Sequence, residues 1–183
     1  MPGLNVSHKY KTCYIHIPKT GGSTIEYILF GRDCVSEHCM IEYYDTYYNY
    51  FIFSVVRNPY TRIISIYNYY INGGDQSEYD KKLVNKNTTL DDFLINYNYE
   101  NLNHLCTQFT FLKNSKHINY IAKFEDYHNE IKKICNVLNI EISTIPHKRK
   151  TEYINNIIIT PKFINLVNDL YKEDFTNYDY KMI

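Results

Sequence analysis

Residues 14–30, YIHIPKTGGSTIEYILF, decide the fold of this 183-residue chain. The apolar segment over residues 12–17 is rich in β-formers and predicts a buried strand. It runs through a Pro/Gly turn into a helical pattern that begins near Ser23 or Thr24. In a strand–turn–helix of this kind, backbone N–H groups and the helix dipole both favour a bound anion. The stretch therefore predicts an anion-binding loop.

The side chains around the two glycines strengthen this prediction. Gly21 and Gly22 let the backbone come close to a ligand, and Lys19 adds a mobile positive charge. Three hydroxyl groups can also donate to an anion, those of Thr20, Ser23 and Thr24. The alternative is a simple tight turn beside a solvated lysine. The loop is not a Walker A motif, because in that motif the lysine follows the glycines.

The second clear strand, residues 50–56, is followed directly by Arg57. Its continuous apolar run is typical of parallel sheets. A helix should open after it, with Asn58 as the N-cap and Pro59 in the first helical position. Nucleotide triphosphatases place a magnesium-binding aspartate near the end of the corresponding strand. An arginine there repels a metal and attracts an anion, so the pattern predicts a phosphate site without magnesium.

Lys19 and Arg57 are expected to converge on one site. Ligands of doubly wound sheets bind at the carboxyl ends of the parallel strands. Two neighbouring parallel strands would therefore bring both cations to the same edge. Ser65 lies about two turns into the helix after Arg57 and could face the same crevice. The alternatives are a surface ion pair for Arg57 and an ordinary helix serine for Ser65.

The rest of the chain alternates between strand and helix patterns. The predicted elements are a helix over 38–49, a polar loop over 72–88, a helix over 89–97 capped by Thr89, a strand over 118–124 with a helix after it, an irregular segment over 140–160 and a last helix from Pro161. The buried side of the last helix should hold Phe163, Ile164, Val167, Leu170 and Tyr171. The alternation predicts one domain, residues 1–183, with a three-layer, P-loop-like α/β fold around a central, mainly parallel sheet.

Composition limits the functional classes. The formal net charge is zero, which disfavours broad nucleic-acid binding and makes any anion site a local one. The sequence shows no secretory signal pattern and no apolar run long enough for a membrane span. The five scattered cysteines fit a reducing compartment, so we expect a cytoplasmic protein.

Two segments, YIHIPKTGGSTIEYIL (14–29) and FSVVRNPYTRIISIYNYY (53–70), resemble the signature segments of the carbohydrate sulfotransferases. That group includes the heparan and chondroitin sulfate sulfotransferases and small bacterial relatives. The resemblance continues through HCMIEYYDTYYNYFIF, HLCTQFTFL, INYIAKFEDYHNEIKKICNVLNI, IPHKRKT and LVNDLYKEDFTNYDY. It implies transfer of a sulfuryl group from PAPS (3′-phosphoadenosine 5′-phosphosulfate) to a hydroxyl acceptor, which could be a glycan, a glycolipid or a small metabolite.

The resemblance also implies which residues bind PAPS. The loop from Lys19 to Thr24 would bind the 5′-phosphosulfate, and Arg57 and Ser65 would bind the 3′-phosphate. Arg149 and Lys150, in a basic loop, would help to close over the cofactor; the alternative for them is a solvated charge cluster.

Sulfuryl transfer needs few catalytic groups. A sulfuryl group carries one charge and leaves a phosphate behind, so positioning and neutralisation of the leaving oxygen are the main tasks. Lys19 can perform both without a metal, so we expect none. The resemblance implies PAPS as the donor and PAP as the product.

The acceptor hydroxyl needs a base that titrates near neutrality. His38 is the best candidate among the seven histidines, because it opens the segment before the second strand, where similar sulfotransferases carry their catalytic histidine. The alternative is a surface histidine at a helix start. His16, in the first strand, is expected to be structural. His104 and Gln108 match an H-x-x-x-Q pattern that lies near the acceptor in similar sulfotransferases, which implies a substrate-binding role.

Two other functions remain open at this level. A small P-loop nucleotide or metabolite kinase would need a magnesium-binding carboxylate near Lys19, and activity that is insensitive to EDTA would exclude it. A catalytically inactive PAP(S)-binding module would bind PAP tightly without transferring a sulfuryl group.

Overall fold

The computed structural model describes residues 4–31, 38–98, 102–114, 117–145 and 157–183. These residues form two compact units. The first comprises Met1–Arg57 and Gln108–Arg149, and the second comprises Asn58–Thr107 and Lys150–Ile183. The prediction that residues 1–183 act as a single domain stays a prediction. Among the described residues, no helix is both long enough and apolar enough to cross a membrane.

A mainly parallel sheet forms the centre of the first unit. Its strands are β1 (Val6–Ser7), β2 (Thr12–Ile15), β3 (Phe51–Val56) and β4 (Tyr120–Lys123), and they lie side by side in the order β1-β2-β3-β4. β1 pairs antiparallel with β2, whereas β2, β3 and β4 are parallel neighbours. The turns that follow β2, β3 and β4 therefore leave the sheet at the same edge.

Helices connect and flank the strands. They are α1 (Gly22–Phe30), α2 (Pro59–Ile71), α3 (Asp80–Leu83), α4 (Leu90–Asn96), α5 (Gln108–Leu112), α6 (Tyr127–Val137), α7 (Pro161–Leu170) and α8 (Lys172–Asn177). Short 3₁₀ helices span Ile41–Tyr47, Asn103–Leu105 and Phe124–Asp126. This is an α/β fold with flanking helices and a mainly parallel sheet, consistent with the three layers that the sequence predicts.

One face of the sheet packs against α1 and α6. Phe53 and Val55 of β3 form a buried cluster with Ile25 of α1 and with Ile131 and Ile134 of α6. The intervening strand residues point to the other face and are buried as well: Cys13, Ile15, Ile52, Ser54 and Val56. Because both faces are covered, β2 and β3 read as continuous apolar runs rather than as alternating strands.

The second unit is helical and has its own core. Buried side chains of α2, α4, α7 and α8 form one cluster, which includes Ile63, Phe93, Phe163 and Phe175. Arg62 of α2 is fully buried in this unit. Its guanidinium donates to the backbone carbonyl oxygens of His104, at 2.9 Å, and Cys106, at 3.0 Å. Burial of this cation is acceptable because its N–H groups are hydrogen-bonded.

Local helix signals were correct. Asn58 caps α2, its side chain accepting from the backbone N–H of Tyr60 at 3.0 Å, and Pro59 takes the first helical position. Thr89 caps α4 by accepting from the backbone N–H of Asp92 at 3.2 Å. Such caps act over one turn of chain, so the sequence alone can reveal them.

Three predictions need correction. The helix expected over 38–49 is a 3₁₀ helix limited to Ile41–Tyr47, and the loop expected over 72–88 contains α3. The last helix ends at Leu170 and α8 follows as a separate helix. Leu170, expected on the buried side, is the last residue of α7 and is 51% exposed.

Candidate functional site

The loop between β2 and α1 holds an unusual backbone conformation. Lys19 and Gly21 have positive φ angles of 67° and 87°. The hydroxyl of the buried Thr20 donates to the carbonyl oxygen of Ile17 at 2.8 Å and closes the turn. This hydroxyl proton is therefore used inside the loop, and only the backbone N–H of Thr20 remains suited to an anion. Ser23 and Thr24 lie in the first turn of α1, with Thr24 buried and Ser23 half-buried.

The N-terminus of α1 suits an anion. Within the described part of the chain, no side chain caps this helix, and its first turn carries no acidic residue. Gly21 occupies the N-cap position. The helix dipole and the first-turn N–H groups therefore favour a negative charge at this end.

Two aromatic side chains that follow β4 shape the loop. The hydroxyl of Tyr127 donates to the carbonyl oxygen of Gly21 at 2.6 Å. Burial raises the pKa of Tyr127, so the hydroxyl keeps its proton and remains a donor. A Cβ atom on Gly21 would lie 2.6 Å from the Tyr127 ring and 3.1 Å from the Phe124 ring. Glycine is therefore required here by space as well as by its positive φ.

Arg57 joins the turn after β3 to the loop after β2. Its guanidinium donates to the backbone carbonyl oxygen of Lys19 at 3.2 Å. The same group lies 4.3 Å from the centre of the Phe124 ring, a cation–π contact, and the residue is only 8% exposed. Lys19 and Arg57 thus lie together at the carboxyl edge of the parallel strands, as the pairing of those strands predicts.

Gln108 holds the backbone of Arg57. Its side-chain oxygen accepts from the Arg57 N–H at 2.7 Å, and its side-chain nitrogen donates to the Arg57 carbonyl oxygen at 2.8 Å. Gln108 is fully buried. These two bonds fix the direction of the chain after β3. The substrate-binding role predicted for Gln108 stays a prediction.

His38 lies beside the end of β2. Its Nδ1 is 3.1 Å from the carbonyl oxygen of His16. A carbonyl oxygen can only accept, so Nδ1 carries the proton and donates this bond. In the neutral ring the lone pair is then on Nε2, which is the atom able to accept a proton.

His16 is buried beneath the loop. Its Nδ1 is 2.7 Å from a carboxylate oxygen of Glu26, and the two residues are 9% and 2% exposed. The His16 ring meets the His38 ring edge-on, with centroids 4.5 Å apart. The burial of His16 agrees with the structural role expected for it. The contact between the His16 and His38 rings was not expected from the sequence.

Four further residues were predicted to belong to the site. Ser65 is buried on α2, in the second unit. His104 also belongs to the second unit, where its Nδ1 lies 2.8 Å from the hydroxyl oxygen of Tyr70. Arg149 and Lys150 lie outside the described residues. The roles predicted for these four residues stay predictions.

Phe124 and Tyr127 were missed at the level of sequence. The signal was available, because β4 is a third parallel strand and both residues follow its carboxyl end. The rule that led to Lys19 and Arg57 applies equally to the turn after β4. Glu26 had no such signal, since a glutamate in a helix normally faces solvent.

The geometry at Gly22 leads to a stability prediction. A Cβ atom on Gly22 would lie 2.0 Å from Nε2 of His16, whose ring is held by Glu26. Gly22→Ala should therefore lower the free energy of unfolding by about 1–3 kcal/mol, the usual cost of overpacking, although alanine normally stabilises a helix. Urea denaturation followed by circular dichroism measures this change.

Ser23→Ala is the matched control and should be nearly neutral. In a His16→Ala background the cost of Gly22→Ala should largely disappear, because the clashing ring is gone. A Gly22→Ala variant as stable as the parent chain would contradict the packing described here.

Comparison with known families identifies the family of this chain. The sequence model of the sulfotransferase family matches residues 2–181, which is nearly the whole chain. No curated protein and no solved structure matches the chain significantly. With its cationic turns at one edge of a parallel sheet, this chain belongs to the sulfotransferase family, the transferases that move sulfuryl groups.

Proposed function

We propose that this sulfotransferase takes its sulfuryl group from PAPS and transfers it to a hydroxyl on a carbohydrate or glycoconjugate. The observation that carries the proposal is the hydrogen bond of 3.2 Å between the Arg57 guanidinium and the Lys19 carbonyl oxygen. It joins two cationic turns at the edge where ligands of parallel sheets bind. The choice of PAPS and of a carbohydrate acceptor rests on the resemblance of the two signature segments.

The residues at this edge fit a donor with two anionic ends. Lys19 and the N-terminus of α1 suit a phosphosulfate, because they offer a mobile cation and backbone N–H groups. Arg57 suits a phosphate, since a guanidinium can donate two parallel hydrogen bonds to it. When bound, PAPS supplies the sulfuryl group and leaves as PAP.

Lys19 is assigned to the leaving oxygen. Negative charge builds up on that oxygen as the bond to sulfur breaks, and a nearby ammonium group stabilises it. The positive φ of Lys19 and the buried turn at Thr20 hold the backbone from which this side chain extends. Positioning of this kind lowers the barrier without a covalent intermediate.

His38 is assigned as the general base. Because its Nδ1–H donates to the His16 carbonyl oxygen, Nε2 is the atom that would take the proton of the acceptor hydroxyl. The bond of 3.1 Å also fixes the direction of the ring. His104 and Gln108 are both proposed to lie on the substrate side. Gln108 also supports the site through its two hydrogen bonds to the Arg57 backbone.

Other assignments follow the resemblance. Ser65 is proposed to join Arg57 in binding the 3′-phosphate. Arg149 and Lys150 are proposed to close over the bound donor. The protein is proposed to act in the cytoplasm as a single domain, without a metal and without a nucleic-acid partner.

The first experiment tests transfer itself. We expect the purified protein to move label from ³⁵S-labelled PAPS to at least one member of a panel of glycans, glycolipids and small hydroxyl metabolites. The activity should persist in EDTA, which a magnesium-dependent kinase would not tolerate. Absence of both transfer and PAP binding would overturn the proposal. Tight PAP binding without transfer would instead indicate an inactive binding module.

Removal of the Arg57 guanidinium should weaken binding of the nucleotide. We expect Arg57→Ala to reduce the affinity for PAP by about 2–3 kcal/mol, the scale of a charge-assisted hydrogen bond in a desolvated site. Isothermal titration calorimetry measures this loss. Arg57→Lys, which keeps the charge but not the planar fork, should lose less affinity than Arg57→Ala. Equal affinities of the parent and Arg57→Ala would remove Arg57 from the donor site.

Loss of the His38 ring should slow transfer and spare donor binding. We expect His38→Ala to lower kcat by about 10²- to 10⁴-fold, the range typical of a general base. Its Kd for PAP should stay within about twofold of the parent value, because the ring is assigned to the acceptor. Steady-state kinetics and calorimetry on the same preparation separate the two effects. A variant with unchanged kcat would show that another group takes the proton.

A further inference from the structure

The buried pair formed by His16 and Glu26 has no role in the reaction as proposed so far. Glu26 is 2% exposed and lies on α1, one turn after the glycine turn. A carboxylate is rarely buried unless it is paired with another group or hydrogen-bonded. Here Nδ1 of His16 donates to Oε1 of Glu26 at 2.7 Å. The hydrogen bond ties the end of β2 to the helix that begins the anion site.

The ring of His16 supports the glycine turn from below. Nε2 of the ring would lie 2.0 Å from a Cβ atom on Gly22, so the imidazole occupies the space beside that backbone. The His16 ring is also packed against Tyr14, since the two rings stack with centroids 5.4 Å apart. The position of the Gly21–Gly22 turn therefore depends on the His16 ring.

The same residue also contacts His38 at two points. The His16 carbonyl oxygen accepts from Nδ1 of His38 at 3.1 Å. The two rings meet edge-on, with centroids 4.5 Å apart and planes inclined by 77°. One contact fixes the tautomer of His38, and the other fixes the tilt of its ring. His16 thus reaches both the donor-binding turn and the proposed base.

We infer that His16, held by Glu26, is a positioning residue that sets the His38 ring against the donor-binding turn. The inference rests on the proposed function, because it concerns the same site. His16 acts through Gly22 and His38 and needs no contact with either substrate. Small errors in the distance between reacting groups are costly, and a misplacement of about 1 Å can lower a rate about 100-fold.

The test is a double-mutant cycle on kcat. His16→Ala should lower kcat by about 10- to 100-fold in the parent chain. In a His38→Ala background the same substitution should cost less than about threefold, because the base that it positions is already absent. An equal loss in both backgrounds, or no loss in the parent chain, would overturn the inference.

Ile131→Val provides the matched control. Ile131 is 2% exposed in the same unit, on α6, and it packs in the apolar cluster between α6 and the sheet. This variant should lose stability without a change in kcat in either background. Thermal denaturation of every variant shows which loss of rate follows from loss of fold.

Glu26→Gln tests the same pair of residues if His16→Ala fails to fold. Glutamine keeps the size of the side chain and an oxygen that can accept from Nδ1, but it removes the charge. We expect a severalfold loss of kcat with a smaller change in the Kd for PAP. Unchanged kcat in Glu26→Gln would remove Glu26 from the positioning pair.

A measurement without turnover separates this inference from the proposed function. Long-range ¹H–¹⁵N spectra report the tautomer of the His38 ring in the protein without substrates. The parent chain should show His38 protonated at Nδ1. His16→Ala keeps the backbone carbonyl oxygen and so should keep this tautomer, but it removes the ring that sets the tilt and should shift the resonances of both His38 ring nitrogens. Glu26→Gln should shift them by a smaller amount. If these shifts appear but no acceptor is sulfated, the positioning contact stands and the proposed reaction fails. If transfer occurs and the His38 nitrogens do not move, the inference fails.

Discussion

The parallel pairing of β2 with β3 is the constraint on which the site depends. Ile15 lies beside Ser54 in this register, so the turns after the two strands leave the sheet at one edge. Only this arrangement lets the Arg57 guanidinium donate to the Lys19 carbonyl oxygen. Two cationic residues that are 38 positions apart in the sequence are thereby joined by a hydrogen bond between their turns. The meeting of these two turns, on which the proposed anion site rests, follows from the parallel pairing of the strands.

Neutral groups hold this edge in place. The Tyr127 hydroxyl bonds the Gly21 carbonyl, the Gln108 amide bonds the Arg57 backbone, and the Phe124 ring lies against the guanidinium. A buried cation is costly unless it is hydrogen-bonded or paired. Because these supports carry no negative charge, they order the cationic turns without neutralising them. Supports of this kind hold the proposed donor-binding groups in place before a ligand binds.

The local patterns in the sequence predicted most of the secondary structure, and their failures have physical causes. The three parallel strands, the caps and the glycine turn depend on neighbours within a few positions, so they were predicted close to the observed bounds, whereas the two-residue strand β1 was not predicted. The tyrosine-rich segment that contains Ile41–Tyr47 has weak helical periodicity, and it forms a 3₁₀ helix rather than the expected α-helix. No apolar stripe marks α3 in the polar segment that contains it, and none of the four residues of α3 is buried.

The sequence by itself determined the class of fold, the three parallel strands, and the two turns that carry Lys19 and Arg57, because each depends on short-range patterns. Only the tertiary structure decided what surrounds those turns. Tyr127 and Gly21 are 106 positions apart, and Gln108 and Arg57 are 51 apart. The burial of Glu26 against His16 likewise depends on how α1 lies over β2. Contacts of this kind follow from packing, which no local pattern of residue types encodes.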